Sequence, residues 1–187
     1  MSVETTIKKK VRTAFQAEIL SVQNESHLHS GPATESHFNL TKDSSVLDIG
    51  CAKGFMMHDI AALIPGIEVK GIDISEYAIA QTIDTMKAHV QVANAKELPF
   101  PDKSFDVAIS INTIHNLDKD DCAVALREIE RVSRKDSFIT VDAYRTEEEK
   151  TRMFAWNLTA KTIMSTDEWV TFFDEVGYTG DYFWFIP

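Results

Sequence analysis

Short apolar runs and helical stripes take turns along this chain. Val46, Leu47 and Ile49 form an apolar run broken only by Asp48, the pattern of a buried parallel strand. Gly50 and Gly54 bracket a tight turn, after which Met57, Ile60, Ala61 and Ile64 recur at helical spacing until Pro65-Gly66 stops them. Residues 69–75 read as a second strand ending in Asp73, and Ser75 caps a helix in which Ile79, Ile83 and Met86 share one face. A third strand over 90–95 runs into a turn, and a fourth spans 105–111. Asp118 or a neighbouring Asp opens a helix with Cys122, Leu126, Ile129 and Val132 inward, and a fifth strand follows over 137–143. Residues 146–162 are polar, then aromatic, with Met153 and Trp156 placed either to wall a pocket or to pack in the core. Ser165-Thr166-Asp167-Glu168 is a capping box for a last helix ending at Gly177, and residues 182–186 form a final strand. Strands alternating with helices predict an α/β fold with a doubly wound, mostly parallel sheet.

The glycine turn carries the candidate chemistry. A strand, a glycine turn and a helix N-terminus let a ligand approach the backbone while free N–H groups point at it. A dinucleotide fingerprint, G-x-G-x-x-G, would need glycines where Ala52 and Phe55 stand, so that reading fails on spacing. What fits is Asp48-x-Gly50-x-x-x-Gly54, with an acid placed to hold a ligand amine directly or through water. Asp73, ending the second strand, is placed to accept two ribose hydroxyls.

These residues resemble motif I and its sequel in the class I S-adenosylmethionine-dependent methyltransferases. The resemblance covers roughly residues 41–187. That family usually has a third glycine where Ala52 stands, and Asp-Ala where this chain has Asn94-Ala95. Residues 98–106 resemble the loop before the family's fourth strand, and residues 112–117 fall where such enzymes place cofactor and acceptor contacts. The resemblance implies a Rossmann-like methyltransferase domain using S-adenosyl-L-methionine on a small-molecule acceptor. Asp48 and Asp73 would anchor the methionine and ribose ends. Gly50, Cys51 and Gly54 would supply close backbone, and Ile74, Asn94 and Ala95 would surround the adenine. His115 is the candidate general base, its ordinary pKa suiting neutral pH; its other reading is packing on the cofactor or bonding to a loop. Asp142 and Tyr144 are second candidates for acceptor contact. The family sheet has a seventh strand, antiparallel between the fifth and sixth. Only six strands are countable here, so the seventh is expected to be missing. Residues 182–186, apolar on both faces, should then pair directly with the 137–143 strand, leaving an edge for a homodimer contact.

Residues 1–40 follow a different pattern. Residues 5–15 are helix-like, residues 19–22 suit a strand, and Glu25-Ser26-His27 and Glu35-Ser36-His37 lie in a polar loop. This order resembles the first half of a BolA-family protein, a family that partners glutaredoxins around an iron–sulfur cluster. The rest of that fold is absent, so the segment is expected to be incomplete as a domain and more mobile than the core. Glutaredoxin is a partner only if the segment is functional. His27, His29 and His37 match no metal cage spacing, and no metal is expected.

Composition narrows the acceptor. Of 187 residues 44% are hydrophobic, enough for one α/β domain with its own core. The net charge of −10 repels phosphate backbones, which argues against nucleic acid as acceptor. The Lys8-Lys9-Lys10 run reads as a solvated helix face. No apolar run is long enough to span a membrane and no signal peptide is seen, so a cytoplasmic location is expected. Cys51 and Cys122 read as reduced thiols rather than a disulfide framework. Two other readings stay open: a non-catalytic module that binds S-adenosylmethionine, and a redox partner protein acting through residues 1–40.

Overall fold

The computed structural model describes residue 38 and residues 40–187. The first strand and helix, β1 (Ser45–Ile49) and α1 (Phe55–Leu63), flank the glycine turn, and β2 (Glu68–Asp73) follows. Beyond them come α2 (Glu76–Ala80), β3 (Val90–Val92), β4 (Phe105–Ile111), α3 (Lys119–Val132) and β5 (Ser133–Tyr144). The chain closes with α4 (Glu147–Trp156), β6 (Met164–Ser165), α5 (Thr166–Val176) and β7 (Asp181–Phe185). The strand order is β3-β2-β1-β4-β5, and both β6 and β7 pair with β5. Every pairing between these strands is parallel. The order reverses between β1 and β4, and in such sheets ligands bind outside the carboxyl ends of the strands at that point.

Both faces of the sheet are covered, which is why β1 and β4 read as nearly unbroken apolar runs. On one face Leu47, Ile49, Ala108, Ile139 and Val141 pack against Leu126 and Ile129 of α3 and Trp169 of α5. On the other, Val46, Val107, Ile109 and Phe138 meet Met57 and Ile60 of α1. Phe38 is buried on that face, edge-on to Phe138 at 6.3 Å, so the core takes in a residue ahead of the expected start at Thr41. The other expectations for residues 1–40, including the helix, the strand, the BolA-like reading and the loop histidines, lie outside the described residues.

The sheet departs from expectation in its strand count. Among the described residues seven strands are present rather than six, the extra one being the two-residue β6, which pairs at Ala143↔Met164 and Tyr144↔Ser165. It is parallel to β5, unlike the antiparallel strand of the family pattern, and too short to show as an apolar run. The final strand pairs directly with β5, from Phe138↔Asp181 to Asp142↔Phe185, as its two apolar faces require.

The helix after Ser75 is also shorter than its periodicity suggests. Ser75 caps it as expected, accepting from Ala78 N–H at 3.1 Å, but it stops at Ala80. The Ile83 N–H turns away to the carbonyl of Lys53 at 3.1 Å, and a 3₁₀ segment, Asp84–His89, continues the chain. This bend places Met86 against Gly54, where an added Cβ would lie 3.1 Å from the Met86 Cβ. The contact with the glycine turn therefore overrides the helical stripe. Ser165 and Glu168 form the expected capping box on α5, and Gly177 ends that helix at φ 76°.

Candidate active site

The β1–α1 turn is held by backbone bonds to β2. The Gly50 and Cys51 N–H groups both donate to the Ile72 carbonyl, at 2.8 and 2.9 Å. Gly50 sits at φ 85°, and a Cβ there would lie 2.1 Å from Thr113 Oγ1, so only glycine lets the segment after β4 close on this turn. Ala52 is also left-handed, at φ 47°, a conformation that costs an L-residue about 1–2 kcal/mol. Its N–H donates to Asp73 Oδ2 at 2.9 Å, while Ser75 N–H donates to Asp73 Oδ1 at 2.8 Å. The Asp73 carboxylate is thus fixed in place at the end of β2 and keeps lone pairs for a ligand.

Asp48 is different. Its side chain is buried at the carboxyl end of β1, and among the described residues its carboxylate has no hydrogen bond or ion pair. Burial, and then the charge of Asp73, push it up to about 7. A buried acid without a protein partner is what a site for a ligand cation looks like before the ligand arrives. Cys51 is buried beside it. Burial and the charges of Asp48 and Asp73 hold its thiol far above the usual range, so it is a packing group rather than a nucleophile.

The adenine-side residues are mixed. Ile74 is 68% exposed, leaving an apolar surface beside Asp73. Asn94 Oδ1 already accepts from Lys96 N–H at 3.0 Å, closing an Asx turn, so a ligand amine would share that oxygen. Ala95 packs against the core.

The ends of β4 and β5 make the other half. Asn112 is left-handed at φ 52°; its N–H donates to Thr140 Oγ1 at 2.8 Å, and the Thr140 hydroxyl donates to Asn112 Oδ1 at 2.7 Å. Asn116 Nδ2 donates to the Asn112 carbonyl at 3.1 Å, while its Oδ1 is buried with no hydrogen-bond partner among the described residues. His115 is buried, and its Nδ1 accepts the Asp142 N–H at 3.0 Å. Its proton therefore belongs on Nε2, and burial lowers its pKa to about 4. Of the two roles open to His115, the geometry supports bracing the β5 end, because the nitrogen free to take a proton is already committed. The Asp142 carbonyl accepts from Trp169 Nε1 at 2.9 Å, and its carboxyl, pushed up to about 7 by burial, lies 3.8 Å from His115 Nδ1.

Asn112, Thr113 and Asn116 lie in the 112–117 segment expected to carry cofactor and acceptor contacts, though none has an individual role there, and Thr140 was not singled out. An Asn just past an apolar strand was a further signal, since Asn tolerates the left-handed region. Tyr144 faces elsewhere, its hydroxyl 3.5 Å from Glu168 and its ring under Lys150. Met153 is fully buried and Trp156 packs against Phe185 at 4.8 Å, the core role rather than a pocket wall. Among the described residues no three His, Cys, Asp or Glu side chains come together to hold a metal ion.

Both the sequence and the fold have counterparts among known proteins. A family model described as "Methyltransferase domain" matches residues 46–136. This stretch is a class I methyltransferase domain of the S-adenosylmethionine-dependent type. The chain is similar to the O-methyltransferase resE of Aspergillus sclerotiorum, 33% identical over 103 residues, 51% of this chain and 38% of that one. It is also similar to the tRNA (carboxymethyluridine(34)-5-O)-methyltransferase of Arabidopsis thaliana, 32% identical over 135 residues, 71% of this chain and 31% of that one. It therefore spans about a third of the length of these relatives. Among solved structures, the YcgJ protein of Bacillus subtilis superposes with a TM-score of 0.59 at 25% identity, covering 74% of this chain and 63% of that one. For the methyltransferase domain, Asp48 and Asp73 fit the family's cofactor: one carboxylate lacks a protein partner and the other is preset by two N–H groups. No helix among the described residues is long and apolar enough to cross a membrane.

Proposed function

We propose that this chain transfers a methyl group from S-adenosyl-L-methionine to a small-molecule acceptor. The observation that carries the reading is the unpartnered, buried Asp48 carboxylate beside the preset Asp73, at the switch point of a parallel sheet. Asp48 would hold the ammonium of the cofactor's methionine end and Asp73 its ribose diol, with Gly50, Cys51 and Gly54 giving close backbone and Ile74, Asn94 and Ala95 flanking the adenine. The cofactor supplies a sulfonium-bound methyl, an electrophilic carbon whose leaving group is a neutral thioether. The chain's part is to align that carbon with a nucleophile and to accept a proton from it.

A tRNA acceptor is the second reading, favoured by the similarity to the plant enzyme. The net charge of −10 weighs against it, because a polyanion is repelled unless a basic face compensates. Titration calorimetry with S-adenosylmethionine, paired with a coupled assay for released S-adenosylhomocysteine, tests the proposal. Binding is expected, with turnover on small O–H or N–H compounds and none on bulk tRNA. Turnover on tRNA alone would support the second reading. Binding with no turnover on any acceptor would support a non-catalytic module, and no binding would remove the cofactor reading.

A further inference from the structure

Asp142 holds a position that the cofactor contacts leave unused. Its residue is 2% exposed, and its backbone is fully engaged, the N–H with His115 Nδ1 and the carbonyl with Trp169 Nε1. Among the described residues its carboxylate, by contrast, makes no hydrogen bond; Oδ1 lies 3.8 Å from His115 Nδ1, a nitrogen that offers a lone pair rather than a proton. That lone pair already accepts the Asp142 N–H, so Nδ1 supplies no donor to the carboxylate.

The sheet register places this group. Asp48 pairs with Ile109, and Ile109 with Phe138. Paired residues of neighbouring strands share a face, and alternate residues of one strand return to it. Asp48 on β1 and Phe138, Thr140 and Asp142 on β5 are therefore on one face. Asp142 lies beyond Ile111↔Thr140, the last pair of β4 with β5, at the carboxyl end of the sheet. The Asn116 Oδ1, buried without a partner, sits in the turn beside His115. This end of the sheet gathers acceptor atoms that lack donors, and a complementary ligand must bring hydrogens.

We propose that the Asp142 carboxylate holds the O–H or N–H hydrogen of the methyl acceptor, facing the side of the cofactor pocket where the methyl emerges. The proposal rests on the cofactor reading above. As the nucleophile's lone pair forms the bond to the methyl carbon, the C–S bond pair stays on sulfur and the hydrogen passes as a proton to Asp142. Acceptors without an ionisable O–H or N–H, such as a thioether, do not suit this site. The partly protonated state that burial gives Asp142 near neutrality matches a group that both receives and releases a proton.

The test needs no known acceptor. Sinefungin is the cofactor analogue in which an amine-bearing carbon replaces the methylated sulfonium, so its ammonium occupies the methyl position. S-adenosylhomocysteine has nothing there. Affinities of both are measured by calorimetry on the full chain and on Asp142→Asn. Wild type should prefer sinefungin, and the variant should bind it roughly ten- to a hundredfold more weakly, the loss of one charged hydrogen bond, with S-adenosylhomocysteine affinity unchanged. An equal loss for both ligands, or none for either, would overturn the proposal. If Asp142→Asn does not fold, Asp142→Ser carries the same expectation, and Asp142→Glu should keep part of the preference. Failure of S-adenosylhomocysteine to bind the wild-type chain would instead overturn the cofactor reading, and this proposal with it.

Discussion

The two halves of the site are built differently. At the ends of β1 and β2, backbone N–H groups do the positioning: Gly50 and Cys51 bond to Ile72, and Ala52 and Ser75 bond to Asp73. At the ends of β4 and β5, side chains do it: His115 braces Asp142, Thr140 braces Asn112, and Trp169 braces the Asp142 carbonyl. A backbone-built site depends on conformations that few residues adopt, so it leaves glycines and acids at fixed spacing. A side-chain-built site depends on which strand ends meet, so many residue types serve and no spacing announces it.

The largest test of this contrast is Trp169→Ala. Removing a fully buried indole should cost about 3–5 kcal/mol in urea unfolding, and it leaves the Asp142 carbonyl unpaired. The surviving folded protein should keep its S-adenosylhomocysteine affinity within about twofold if the halves are independent; a loss comparable to that of Asp73→Ala would break the contrast.

Asp48→Asn reads the other half through pH. The Asp48 pKa is raised from 3.8 to about 7, so folding favours its protonated form. That contribution is full below about pH 4 and is lost as pH rises through about 7. The Asn variant cannot ionise, so its stability relative to wild type should rise between these limits, by an amount on the order of 3 kcal/mol. A pH-independent difference in chemical denaturation would show that Asp48 is not held as described.

Asp73→Ala should cost about 1.5–3 kcal/mol of cofactor affinity, the range for a hydrogen bond to a charged group, and should leave the sinefungin preference over S-adenosylhomocysteine in place. Unchanged affinity would remove Asp73 from the site. The smallest effect is expected at Ala52. Ala52→Gly relieves a left-handed alanine at φ 47° against glycine's greater entropy in the unfolded chain, for a net gain of about 0.5–1 kcal/mol. A lower thermal midpoint in that variant would mean that the methyl group of Ala52 packs to advantage.

Much of the framework was legible from local pattern. The β1 run, the capping roles of Ser75 and Ser165, the end of α5 at Gly177 and the direct pairing of the last strand with β5 all match it. Asp48 and Asp73 were picked for their place at strand ends, and the structure sets them on either side of one turn. What misled was also local: the stripe Ile79, Ile83, Met86 reads as one helix, yet the Lys53 carbonyl draws Ile83 out of it. His115 was a candidate base from its place after the fourth strand and its ordinary pKa, with packing or a loop bond as its other reading, and only the fold put the Asp142 N–H on its free nitrogen.

The sequence by itself determined the α/β alternation, the position of the glycine turn and the acids beside it. These follow from backbone conformation and from burial on both sheet faces, which restrict residue types one position at a time. The tertiary structure alone decided that β6 exists, that β5 begins at Ser133 directly out of α3, and that the Asp142 carboxylate makes no hydrogen bond among the described residues. Those outcomes depend on the register of β4 against β5 and on the packing of α5 over them. Hydrogen bonds between residues 27 or 28 positions apart form only once that register is set.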